Sequence, residues 1–454
     1  MIDVVVTGRS LPALQSALDL AEVGLSVMVL DDGSSSALRP WAERDPDGII
    51  AEFAKRIAAP LDQDDSHDAD AARLVEIPAQ APLLLQSEAW LPQSSPNVLG
   101  IPAVPLATET SAVLGAGGAF RAYLDRLTPL LTVGKTRMLG ELVKKRMGAK
   151  TRDLLVDPQV FERFGVDASE VEVAVASPGL NEALSRAGSL STAVLAYADR
   201  NVARETRVAP VFGAEAFVNT LLRRLELYGV RLRSERAIAV AQEDESWVVQ
   251  LDGGDTLQAR ALIADLGASP VASHEFTPLV ETVLPSEARV YAEIDMERPE
   301  WLAPGGRAIA RVADWAVLLD ASAEHDSADE GRPGSSEAGF VCRLVSKVAP
   351  VRDQLEGVVR LQKSEDSSSR HKGTGVGIEW LQGSTLIEVS PIAAPYRTLT
   401  QRHKAAEAIA ALEVEHPKLL AVGRAIHGDD QAEALSSARA ATVRLRRRLL
   451  GLSE

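Results

Sequence analysis

Residues 2–32 constrain this chain more than any other stretch, because they spell a strand, a tight turn, a helix and a second strand in immediate succession. Ile2-Asp3-Val4-Val5-Val6-Thr7 is a near-continuous apolar run, as a parallel strand covered on both faces requires. From Leu11 to Val23 apolar residues recur at helical spacing through Leu14, Ala17, Leu18 and Ala21, and Gly24 closes the helix. Leu25 to Leu30 forms a second apolar strand, ending on Asp31 and Asp32. The unit is βαβ and predicts an α/β fold.

A βαβ unit that binds a dinucleotide carries G-x-G-x-x-G at its turn and an acid about 20 residues later. Here the turn reads Gly8-Arg9-Ser10-Leu11-Pro12-Ala13. Gly8 keeps the first glycine, and Asp31 stands at the distance expected of the acid. The second glycine, whose bare backbone lets a pyrophosphate approach, is Ser10, which adds a Cβ and a hydroxyl. The third, which allows close helix–strand packing, is Ala13, a tolerated replacement. Pro12 falls in the first helical turn, where its missing N–H costs the helix little. The helix N-terminus can still hold an anion.

A chain of 454 residues is long enough for two or three cores. Aromatic residues make up only 4%, so those cores must be built from Ala, Leu and Val. The net charge of −16 argues against a nucleic-acid partner. Cys342 is the single cysteine, which excludes an internal disulfide and a multi-cysteine zinc site. The seven histidines are scattered, and none has metal-ligand spacing. No G-x-S-x-G elbow, P-loop or other catalytic constellation is present. The first residues enter a strand at once, and no run of 18 apolar residues follows. The chain therefore reads as cytoplasmic, with membrane contact only at its surface; Lys144, Lys145 and Arg146 form a small basic face that reads as an ordinary solvated helix face ahead of a contact to a membrane surface or an acidic partner.

Further along, Gly48 to Ala58 is amphipathic and helical, and an acidic linker follows through Asp62, Asp64, Asp65, Asp68 and Asp70. Leu83 to Leu91 is strand-like, and residues 115–200 are mainly helical. Phe217 to Leu227 predicts an amphipathic helix and Val230 to Leu232 a strand. Three short strands come next, at Ile238–Ala241, Trp247–Leu251 and Thr256–Ala259, with Asp252-Gly253-Gly254-Asp255 turning between the last two. Ala261 to Asp265 returns to the first sheet. Residues 287–395 alternate strands with polar insertions at 327–337 and 364–373, and Gly373 to Gly377 is a flexible entry to a strand. Leu399 to Leu412 and Ala432 to Leu450 are helical.

This arrangement resembles the flavin-dependent protoporphyrinogen and coproporphyrinogen oxidases, within the amine oxidase-like flavoproteins. The residues that carry the resemblance are Trp90-Leu91-Pro92 with Leu99 to Pro105, Gly140 to Gly148, Leu154 to Pro158, Ala187 to Leu190, Pro210 to Gly213 and Gly428-Asp429. It implies a Rossmann-like FAD-type domain (1–85, 205–268 and 418–454), an inserted helical domain (98–204) and a mixed-sheet, substrate-type domain (86–97 and 269–417). It also implies FAD, held through Gly8, Ser10, Ala13, Asp31, Gly428 and Asp429, and a porphyrin-like substrate.

The family approaches its flavin through glycine-rich segments, and this chain departs from each of them. Ser10 and Ala13 replace two glycines of the first. Gly33 to Arg39 stands where a Gly-Gly-Arg turn is expected, and Gln159 to Phe164 where paired glycines and a tyrosine are. Ala214 to Phe217 replaces another glycine pair, and Gln431 to Glu433 a glycine-rich turn. Five altered segments facing one ligand suggest a retained fold with a relaxed need for flavin. The sequence thus leaves three functions open. One is a flavin-poor binding or scaffolding protein that holds a porphyrin-like ligand or pairs with a true oxidase. Another is a working FAD enzyme that dehydrogenates a porphyrinogen, its chemistry supplied by the flavin. The third is a nicotinamide-linked reductase, disfavoured because no second fingerprint appears. Catalytic residues and oligomeric state are not legible.

Overall fold

The apolar run at the start becomes strand β1, Ile2–Val6, followed by helix α1, Leu11–Ala21, and strand β2, Val27–Leu30, which lies parallel to β1. The structure, a computed structural model, describes residues 2–31, 42–60, 69–77, 81–86, 89–128, 136–201, 206–266, 279, 290–296, 299–303, 305–312, 315–320, 340–346, 385–391, 396–428 and 430–452. Several segments singled out in the sequence lie outside these residues: Gly33 to Arg39, Asp62 to Asp68, the insertions at 327–337 and 364–373, Gly373 to Gly377, and Asp429.

Val4, Val5 and Val6 are completely buried, and alternation sends them to opposite faces. Val4 and Val6 join a core built with α1, helix α2 (Ile49–Ala58) and helix α3 (Gly213–Leu227). Val5 joins a second core on the other side of the sheet, around Trp247 and Leu262. A sheet covered on both faces explains why β1 has no polar alternation.

The remaining strands of this sheet are β3 (Arg231–Arg233), β4 (Ala237–Glu243), β5 (Ser246–Leu251), β6 (Thr256–Asp265) and β7 (Leu419–Val422). The order is β3-β2-β1-β6-β5-β4, with β7 also on β6. Strand β6 is ten residues long and uses one edge twice. Its first half pairs antiparallel with β5 (Trp247 opposite Ala259), and its second half parallel with β7 (Asp265 opposite Val422). Its other edge pairs parallel with β1, Val6 opposite Ile263. Helix α4 (Leu399–Glu415) opens with a capping box, Thr398 and Gln401 bonding each other's backbone N–H. Helix α5 (Gln431–Leu449) packs along α1, where Thr442 Oγ1 and Ser16 Oγ are hydrogen-bonded at 2.9 Å inside the core.

A helical unit of Thr108–Tyr123, Leu139–Met147, Asp157–Phe164, Leu180–Ala187 and Leu190–Asn201 builds a core that also takes in Leu84, Ile309 and Leu318 of a second sheet. A π-helical turn, Arg152–Val156, leads into Asp157. The basic run departs from the sequence reading here. Lys144 and Lys145 are exposed, but Arg146 is 2% exposed and ion-paired to the fully buried Asp125 at 2.5 Å. Asp125 in turn accepts from the Ser191 N–H, and Arg146 Nη2 donates to the carbonyl of Gly188 at 2.9 Å. Charge alternation along a helix does not reveal this burial. Arg146 lies on the face that carries Leu142 and Val143, both buried.

A second sheet runs in the order Thr385–Pro391, Val290–Met296, Phe340–Ser346, Trp315–Asp320, Arg307–Val312, Leu83–Gln86, Ala89–Leu91. The single strand read from Leu83 to Leu91 is a hairpin in the structure, with Leu84 opposite Leu91. A small sheet joins Glu43–Arg44, Arg207–Pro210 and Leu74–Ile77. Among the described residues no helix is long and apolar enough to cross a membrane.

Candidate functional site

In an open parallel sheet a ligand site forms outside the carboxyl ends of the strands, beside the first helix N-terminus. Here β1, β6 and β7 end together at that edge on Thr7, Asp265 and Gly423. The connections are tight. Asp265 N–H donates to Thr7 Oγ1 at 3.2 Å, and Leu266 N–H donates to the Val422 carbonyl at 2.7 Å.

Asp265 fills the centre of this arrangement. Its Oδ2 accepts the Ser10 N–H at 2.7 Å, at the N-cap of α1. A Cβ placed on Gly8 would lie 2.6 Å from Asp265 Oδ2, 2.7 Å from its Cβ and 2.9 Å from its Cγ. A Cβ on Gly423, whose φ is +109°, would meet Asp265 Oδ1 and the Leu266 backbone. Two glycines from separate loops therefore press their bare α-carbons against one carboxylate. Gly8 does not adopt a positive φ, so its turn does not need glycine for conformation. The space it leaves is taken by Asp265.

The other residues named from the sequence are placed as follows. Ser10 has φ −60° and ψ 152°, ordinary extended backbone, and its Oγ is buried with no hydrogen-bond partner. Ala13 is fully buried and packs into the core below the first turn of α1. Asp31, at the end of β2, accepts from Arg9 Nη1 at 2.6 Å in a partly exposed ion pair, and its own N–H donates to the Arg233 carbonyl. Gly428 is buried with φ +62° and follows the short helix Arg424–His427 beyond β7. Asp430, two residues on, accepts the Glu433 N–H and caps α5. The structure thus brings Gly8 and Ser10 together around Asp265, ties Asp31 to Arg9, and leaves Ala13 in a packing role. Sequence reading missed Asp265. The available signal was an acid closing an apolar strand, Ala261-Leu262-Ile263-Ala264-Asp265, at an edge where a cofactor diphosphate would bring negative charge.

FAD fits this edge poorly as it stands. The diphosphate would need the amide at the α1 N-terminus that Asp265 already holds. It would also add like charge beside a carboxylate, worth roughly 4 kcal/mol per charge pair at 4 Å near a surface. Pro12, the second residue of α1, supplies no N–H to help. The acid that would take ribose hydroxyls is held by Arg9.

Polar groups also close the junction between the helical unit, the second sheet and the small sheet. Asp320, 5% exposed, accepts from Arg207 Nη2 at 2.9 Å and Arg307 Nε at 3.2 Å. Arg311 lies over the Phe161 ring and reaches Asp167 at 3.3 Å. At the far side of α5, burial lowers the pKa of His427, against the pull of Glu433 and Asp430. Tyr396, which donates to the Ile426 carbonyl at 2.8 Å, is pushed up to about 12 by burial and by Glu433. These groups are set for packing and hydrogen bonding.

No family model matches the chain, and no curated protein matches it in sequence. Solved structures match it across nearly its whole length. A provisionally assigned protoporphyrinogen oxidase from Exiguobacterium is 14% identical with a TM-score of 0.67, covering 97% of this chain and 99% of its own. A reduced UDP-galactopyranose mutase is 11% identical with a TM-score of 0.57, covering 100% and 97%. Cyclohexylamine oxidase from Brevibacterium oxydans is 11% identical with a TM-score of 0.50, covering 99% of both chains. The chain has the fold of the FAD-binding, Rossmann-type oxidoreductases.

Proposed function

We propose that this protein is a flavin-poor, non-catalytic binding or scaffolding protein on an FAD-oxidoreductase fold. One observation carries the reading. The groups that would hold an adenine dinucleotide are satisfied inside the chain, Ser10 N–H by Asp265 and Asp31 by Arg9. The protein's ligand in this reading is a hydrophobic, porphyrin-like small molecule, or a partner oxidase. The structural likeness to a protoporphyrinogen oxidase supports that class over a nicotinamide-linked reductase. A second reading, a working FAD-dependent porphyrinogen dehydrogenase, draws on the same likeness.

Colour separates the two. The purified full-length protein is expected to be colourless and to take up no FAD at high micromolar concentration. Absorbance at about 450 nm with one flavin per chain after denaturation refutes the first reading and supports the second.

A further inference from the structure

We infer that the Asp265 carboxylate, rather than the side chains of Ser10 and Ala13, is what closes the diphosphate position at the α1 N-terminus, and that the Gly8–Gly423 cradle around it is intact. The inference rests on the closed-site reading above but goes further: at this position one residue acts as a plug.

Four observations lead there. The Ser10 N–H, which a diphosphate would use, is bound to Asp265 Oδ2 at 2.7 Å. Gly8 and Gly423 both flank the carboxylate, so the space it fills exists because neither loop carries a Cβ there. Ser10 does not obstruct through its backbone, which is extended, and its buried Oγ lacks a partner, so a phosphate oxygen could accept from it. Ala13 carries its Cβ into the α1 core, away from the strand ends. Asp265 is thus an internal anion seated at the positive end of a helix, and it competes with any external one.

The contact is built to persist. Asp265 is the last residue of β6, a strand paired on both edges, and its backbone is bonded to Thr7. The plug opens by mutation, not by a loop swinging away.

The test titrates full-length protein with ADP and with FAD, followed by calorimetry and flavin fluorescence. Wild type is expected to show no saturable binding. Asp265→Ala is expected to gain at least about 100-fold, equivalent to ~2.7 kcal/mol. The Ser10→Gly/Ala13→Gly double variant, with Asp265 in place, is expected to gain nothing. If Asp265→Ala binds no better than wild type, or if the double variant gains as much, the plug is refuted while the closed-site reading survives. If wild type already carries FAD, both fail. Should Asp265→Ala not fold, Asp265→Ser and amide exchange in wild type decide the question. The Ser10 N–H is expected to exchange slowly, and rapid exchange refutes the bond on which the inference stands.

Discussion

Placing a methyl group on Gly8 probes whether the Asp265 carboxylate sits where it is described. In Gly8→Ala the new Cβ would lie 2.6 Å from Asp265 Oδ2, whereas ordinary contacts begin at 3.4 Å. The carboxylate must retreat by the difference, 3.4 less 2.6, or roughly 0.8 Å. That retreat stretches the 2.7 Å bond from Ser10 N–H past the limit of a hydrogen bond. A lost bond to a charged group costs about 1.5–3 kcal/mol, and overpacking adds about 1 kcal/mol or more. The gain from stiffening the unfolded chain returns about 0.5 kcal/mol, because the Gly8 backbone suits alanine. The net expectation is a loss of about 2–4 kcal/mol, read as a shift of the urea midpoint at unchanged slope. Asp265→Gly removes the same bond and vacates the same space, including the Asp265 Cβ that would stand 2.7 Å from the new methyl. In that background Gly8→Ala should cost nearly nothing, so the double-mutant cycle should show a coupling of about 2–3 kcal/mol. Additivity to within about 0.5 kcal/mol would refute the contact, and with it the account of the closed site.

Two predictions concern the helical unit. Burial, with Asp167 nearby, raises the Asp157 carboxyl from its ordinary 3.8 to about 6. The folded state then holds its proton more tightly than the unfolded state, so stability falls as pH rises from about 4 to 6. A full rise of this size is worth at most ~3 kcal/mol, and partial exposure reduces it to about 1–2. Asp157→Asn keeps an oxygen for the Ala168 N–H, so it should flatten that slope and stabilise at pH 7; an unchanged pH profile refutes it. Asp125→Ala strands the buried Arg146 guanidinium and should cost about 3–5 kcal/mol in the unfolding midpoint. Lys144→Ala on the same helix should stay within about 0.5 kcal/mol, and equal effects would refute the burial of Arg146.

What the sequence disclosed was local. The βαβ start, the hairpin at Asp252–Asp255, the return of Ala261–Asp265 to the first sheet and the terminal helix all follow from apolar periodicity within short windows. The contacts that decide the site are remote. Ser10 and Asp265 stand 255 positions apart, and the third member of the cradle, Gly423, is further still. At the strand end an aspartate reads as a stop signal, and nothing nearby says which helix it faces. Gly8 was legible as a required glycine, but the reason lay in a side chain on the neighbouring strand, remote only in sequence. Arg146 was misread for a related cause, since its partner Asp125 belongs to another helix, and a run of cations looks solvated until a carboxylate is found beneath one of them.

The shared edge of β6 has a consequence for biogenesis. Its second half is completed by β7, and α1 is covered by α5, so during synthesis α1 waits for a helix more than 400 residues downstream before that face is sealed. Everything between the two helices is synthesised with the Ser16 face of α1 awaiting α5. Loss of α5 would therefore expose α1, a segment made long before it, to chaperones and proteases.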